Sequence, residues 1–189
     1  MKHSVQSNRA PSVAPAPLDT PKLRRHWPEF ESQRKALVRI IQDVVADIQG
    51  SYGGKYRCSE GPSSEGFCFY VIPQKGKVAK VMRGKYLWVT GDIGLDQGEV
   101  YGNAGLGWTK SHSNRIPNRV RRFLMAKGFE EDFEPYGGYD CEGYYCSKLL
   151  SQLAGRSTSF EDQSKRICRW MNDKIRLSLK QLDKIEKCW

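Results

Sequence analysis

The chain has 189 residues, a formal net charge of +10 and an isoelectric point near 9.4, with 39% hydrophobic and 28% charged residues. That balance excludes wholesale disorder and leaves apolar material for one core. No stretch approaches the roughly 20 apolar residues of a membrane span, and MKHSVQSNRAPSVAPAPLDTP has no apolar centre of a signal peptide. The expected setting is therefore cytoplasmic, with the six cysteines as reduced thiols. A basic balance favours polyanionic partners such as nucleic acid, a nucleoprotein or an acidic protein surface.

Residues 1–27 are rich in Pro, Ala and Ser and read as a disordered arm, basic at its end through Lys22, Arg24 and Arg25. Residues 28–189 read as a single compact domain. Pro28 suits the first position of a helix whose apolar face is Phe30, Leu37, Ile41, Val44, Val45 and Ile48, with Gly50 placed to end it. Short β-like runs follow at Lys55–Cys58, Phe67–Pro73, Lys77–Arg83, Tyr86–Thr90 and Glu99–Tyr101, with Lys75-Gly76 and Arg83-Gly84 as turns. Thr109–Lys127 reads as a polar loop and a short helix with Val120, Phe123 and Leu124 as its apolar side. Asp140–Ala154 suggests a further short helix. Ser159 and Asp162 have capping-box spacing, and Cys168, Met171, Ile175, Leu179, Leu182, Ile185 and Trp189 then recur at helical steps. The stripe reads as internal core or as a docking helix flanked by Lys180 and Lys184. The expected architecture is α+β, an antiparallel sheet of about 4–5 strands packed against N- and C-terminal helices.

Charge is segregated along the chain. Residues 75–85 hold Lys75, Lys77, Lys80, Arg83 and Lys85 without an acid, and residues 109–127 hold Lys110, Arg115, Arg119, Arg121, Arg122 and Lys127 without an acid. Residues 128–142 hold Glu130, Glu131, Asp132, Glu134, Asp140 and Glu142 without a base. Two readings stand side by side: the basic blocks meet phosphates, or the 109–127 block pairs with the acidic block beside it. The 75–85 block has no acidic neighbour in sequence and is the cleaner candidate for a polyanion contact.

Catalytic signals are sparse. The histidines are His3, His26 and His112, and no Walker-type loop, HExxH or nucleophile elbow occurs. Gly102-Asn-Ala-Gly105-Leu-Gly107 lacks a phosphate-loop lysine and reads as a turn. Cys58 and Cys68 read as small core residues in preference to joining Cys141 and Cys146 in a zinc set, and a disulfide is equally disfavoured. Asp92, in Thr90-Gly91-Asp92-Ile93-Gly94, reads as the cap of a tight turn; with Asp96 and Glu99 it could instead hold a divalent ion in an enzyme. No cofactor and no catalytic residue is assigned.

Tyr56–Gly102 resembles a group of small phage and prophage proteins, on the cysteine-bearing strand at Cys58, the aromatic strand Phe67–Val71, and Leu87-Trp88-Val89-Thr90-Gly91-Asp92-Ile93-Gly94, a strand ending in Gly-Asp-hydrophobe-Gly. Where that group often has Trp-Pro-Gly, this chain has Arg83-Gly84-Lys85. The resemblance implies a mobile genetic element as source. It also implies a non-enzymatic role, binding and inhibiting a host nucleoprotein defence complex as anti-CRISPR proteins do. The rival expectation is a nucleic-acid-binding accessory protein with Tyr86 or Trp88 near the bases.

Overall fold

The computed structural model describes residues 33–62, 66–84, 86–96, 99–133 and 140–188. The arm expected over residues 1–27 and the helix start at Pro28 lie outside them, as does Trp189. The architecture is α+β: a six-stranded antiparallel sheet with helices at both ends of the described chain. That is more strands than the sequence suggested.

Helix α1, Arg34–Tyr52, buries Leu37, Ile40, Ile41, Val44 and Ile48 along one face. It runs through Gly50, contrary to expectation, and closes at Gly53, whose φ of 50° is the left-handed geometry that ends helices. Strands β1 (Tyr56–Pro62) and β2 (Gly66–Pro73) pair next. The segment expected to be a strand at Lys77–Arg83 is instead helix α2. Its Ala, Lys, Met and Arg are good helix formers, and Val78, Ala79 and Met82, the buried set, share one helical side.

Strands β3 (Leu87–Asp96) and β4 (Glu99–Thr109) form a long hairpin in register from Leu87↔Trp108 to Asp96↔Glu99. Glycines 102, 105 and 107 therefore lie inside a central strand and not in a turn. A 3₁₀ turn, Lys110–Arg115, leads to helix α3, Asn118–Ala126, which buries Val120 and Leu124. Strand β5 (Glu130–Asp132) pairs with β6 (Cys141–Leu149). The helix expected over Asp140–Ala154 is thus mostly strand, with only helix α4, Leu150–Ala154, at its end. Paired tyrosines and flanking cysteines favour the pleated surface. Sheet order is β1-β2-β3-β4-β6-β5.

Helix α5, Phe160–Glu186, lies across the sheet beside α1 and buries Ile167, Met171, Ile175, Leu179, Leu182 and Ile185. The apolar stripe is internal core. Ser159 stands at the N-cap without a side-chain bond; the expected capping box is replaced by Ser157, whose Oγ accepts the Ser159 N–H at 3.2 Å and faces Asp162. Polar contacts tie the helices, among them Asn172 Nδ2 to Asp47 Oδ2 at 2.6 Å, Arg176 to the same oxygen and to Ser51 Oγ at 3.0 Å each, and Ser164 Oγ to Asp43 at 3.3 Å. Among the described residues no helix is long and apolar enough to cross a membrane.

The two sheet faces differ. One meets the helices: a Cβ added at Gly91 would touch Ile175 of α5, and one at Gly102 would touch Leu153 of α4. On the other face the Tyr145 ring lies flat over Gly105, Gly107 and Gly143, where any Cβ would collide with it. Trp88 Nε1 donates to the Tyr145 hydroxyl at 2.8 Å. The Gly-Leu-Gly spacing of β4 is thus explained by a ring that needs bare backbone beneath it.

Candidate polyanion interface

Three basic groups far apart in sequence meet at the end of the sheet where β2 and β4 finish and β3 begins. Helix α2 reaches α5 through the Lys77 backbone N–H, a first-turn donor, which Glu186 Oε1 accepts at 2.6 Å. Helix α5 reaches α3 through Lys184, whose Nζ lies 5.0 Å from the Phe123 ring centre; Lys127 approaches the same ring at 6.0 Å. Tyr86 joins the 3₁₀ turn by stacking on His112 at 4.6 Å and by accepting the Thr109 N–H at 3.1 Å on its carbonyl.

Lys75, Lys77, Lys80 and Arg83 are all exposed there, as are Arg115, Arg119, Arg122 and Lys180. Because α2 is a helix and not a hairpin, its cations stand opposite the buried Val78, Ala79 and Met82. Arg83 also donates to the Gln74 carbonyl at 3.0 Å. The Lys85 side chain lies outside the described residues. Lys184 is half-buried against Phe123. Asp183 and Glu186 share this end, so acids are interspersed among its cations.

Arg121 leaves the expected surface. Its side chain is 18% exposed and lies over the Trp108 ring at 4.9 Å, 3.4 Å from Glu142 Oε2 and 3.9 Å from Glu131. The internal-pairing reading of the 109–127 block therefore holds for this residue, while Arg119 and Arg122 face solvent.

Glu142 is the centre of a buried polar network. Its Oε2 accepts from Trp108 Nε1 at 3.1 Å, from Ser113 Oγ and from Arg121. Burial alone would push this carboxyl up, but the bonds from Ser113 and Trp108 and the Arg121 guanidinium hold it below the ordinary range. An open depression of about 680 Å³ lies against the network, with Lys110, Asn114, Asn118, Arg121, Phe133 and Glu142 in its lining. The sequence marks the pair only as neighbouring basic and acidic blocks; Arg121 and Glu142, 21 positions apart, meet because α3 packs against β6.

Among the described residues the other sequence candidates do not assemble into a reactive centre; His3, His26 and the Asp96 side chain lie outside them. Asp92 sits within β3 and not in a turn; Asn103 Nδ2 of β4 donates to its Oδ2 at 3.1 Å. Burial pushes its carboxyl up to about 6, against the opposing effect of that bond. Glu99 accepts from the Tyr101 hydroxyl at 3.2 Å. Among the described residues no three His, Cys, Asp or Glu side chains gather in a way that could hold a metal ion. Cys141 and Cys146 are five apart on one strand and so point to opposite faces. All six cysteines are free thiols; burial pushes Cys58 and Cys168 up to about 11. His112 Nδ1 lies 2.8 Å from Thr109 Oγ1 and 3.0 Å from Ser111 Oγ, which fixes the 3₁₀ turn.

No family model matches this chain. No curated protein and no solved structure matches it either.

Proposed function

We propose that this is a non-enzymatic binding protein that engages a host nucleoprotein complex through its basic end. The observation that carries the reading is the convergence of α2, α3 and the C-terminal part of α5, whose Lys80, Arg119 and Lys180 are exposed at one end of the sheet. Cations drawn from three segments into one region form a surface suited to a phosphate backbone. The resemblance of Tyr56–Gly102 to phage and prophage proteins supports the more specific form, inhibition of a host defence complex in the manner of anti-CRISPR proteins. A nucleic-acid-binding accessory role is the second reading. Tyr86 favours it, an aromatic ring 43% exposed amid these cations.

The test is capture from host lysate with and without nuclease, using the native chain and the variant Lys80→Glu/Arg119→Glu/Lys180→Glu. All three positions are exposed, so the variant folds. A protein complex retained after nuclease and lost in the variant is the expected result. Capture of nucleic acid alone, removed by nuclease, selects the accessory role. Capture unchanged by the triple reversal refutes the basic end as the contact surface.

A further inference from the structure

The depression beside the basic end has the chemistry of a nucleobase site. Its floor carries Glu142, held ionised by its three donors on Oε2, while Oε1 accepts no bond among the described residues. Asn114 and Asn118 line the same space, both exposed, and among the described residues neither makes a side-chain hydrogen bond. Phe133 stands at its edge and is 60% exposed, the most exposed large apolar side chain described. An exposed aromatic ring beside polar groups is the usual platform for a base splayed out of a single strand.

Donor and acceptor placement decides which part of a ligand enters. In the floor the Glu142 charge is paired with Arg121, and the Oε1 left open accepts from N–H donors. The rim has the opposite preference, with Lys110 exposed at the mouth and Arg119 adjacent to Asn118 on α3. Phosphates belong outside and a donor-bearing edge inside. Of the bases, guanine alone presents a ring N–H and an amino group side by side, which suits a carboxylate. We infer that the depression takes one guanine base of a single-stranded nucleic acid, stacked on Phe133 and read by Glu142 with Asn114 and Asn118. The inference rests on the polyanion reading above and gives it a substrate class.

The test is fluorescence anisotropy with labelled 12-mers of uridine whose central base is guanine, inosine or adenine. Guanine is expected to bind about 5- to 100-fold tighter than adenine, with inosine, which lacks the amino group, between them. Phe133→Ala, an exposed change that spares the fold, is expected to weaken the guanine 12-mer by about 5- to 100-fold while leaving the salt dependence unchanged. Glu142→Gln is expected to abolish the preference for guanine over adenine. Equal binding of all three 12-mers, or a Phe133→Ala variant that binds as the native chain does, overturns the base site; salt-dependent binding that persists then leaves the polyanion reading standing. Absence of binding to every 12-mer at low salt overturns the base site and removes naked nucleic acid from that reading. Free guanosine monophosphate binding as tightly as the 12-mer, or an arginine-rich peptide binding in its place, overturns the single strand as the ligand.

Discussion

Gly105→Ala tests whether the Tyr145 ring is seated on bare backbone. A Cβ at this position collides with Cδ1 of the Tyr145 ring and falls 2.5 Å from the Tyr144 carbonyl oxygen. The ring can swing away, but the carbonyl belongs to the paired strand and cannot, because Gly105 opposes Tyr145 in the β4–β6 register. Overpacking of this kind costs about 1–3 kcal/mol. Displacing the ring also breaks the bond between Trp88 Nε1 and the Tyr145 hydroxyl, worth about 1 kcal/mol. The sum, about 2–4 kcal/mol, corresponds to a fall of about 5–15 °C in melting temperature for a domain this size. Thermal unfolding followed by circular dichroism measures it. Gly50→Ala is the control: nothing lies within 4 Å of its Cβ, and an alanine inside α1 is expected to gain about 0.5–1 kcal/mol. Combining Gly105→Ala with Tyr145→Ala isolates the ring, and the two costs are expected to fall short of additivity by at least about 0.5 kcal/mol. A Gly105→Ala melt within about 2 °C of the native value, or strict additivity in the double variant, refutes the seated ring.

Two further outcomes follow from buried groups. Asp92 has a folded-state pKa near 6, above the ordinary carboxylate value, so the folded chain binds the extra proton and this group's contribution to stability falls as pH rises from about 4 through 6. Asp92→Asn keeps the acceptor for Asn103 and is expected to stabilise the protein by roughly 2 kcal/mol at pH 8 and by almost nothing at pH 4, read from urea unfolding at the two pH values; an equal effect at both would show that its charge is not what matters. Leu182→Asp places an uncompensated carboxylate at a site 3% exposed and is expected to cost more than about 4 kcal/mol, giving a chain without a cooperative melt; a folded variant would return the α5 stripe to the surface.

The helices α1, α3 and α5 were legible because their apolar residues recur at helical spacing over enough turns to be unambiguous. Short segments were not. Lys77–Arg83 is one amphipathic turn and more, too brief for period to separate helix from strand, and the valines biased the reading toward β. Cys141–Leu149 was hidden because its strand character comes from pairing with β4, whose partner residues run from Thr109 opposite Cys141 back to Tyr101 opposite Leu149. Glycine in β4 read as turn chemistry, since only the fold reveals the ring lying on it. The same limit applies to the site. The basic blocks were visible as composition, but their meeting at one end required the α2–α5 and α3–α5 contacts. Glu142 was visible only as one member of the acidic block, and Asn114, Asn118 and Phe133 carried no local signal, because a depression is a property of three segments at once.

The bond between Asp47 of α1 and Asn172 and Arg176 of α5 has a consequence for how the chain is made. Synthesis runs from α1 toward α5 at about 5–20 residues per second, so the 77 residues from the end of β4 to the end of α5 take about 4–15 s. During that interval the β1–β4 meander is complete, yet Leu37, Ile40, Val44 and Ile48 lack the helix that covers them in the finished fold. A nascent chain halted before Phe160 therefore exposes the part of the α1 stripe that packs on α5, together with the side of the sheet that α5 covers. Ribosome-bound chains arrested at that point are a natural substrate for chaperones that bind exposed apolar surface, and release of α5 ends that exposure in a single step.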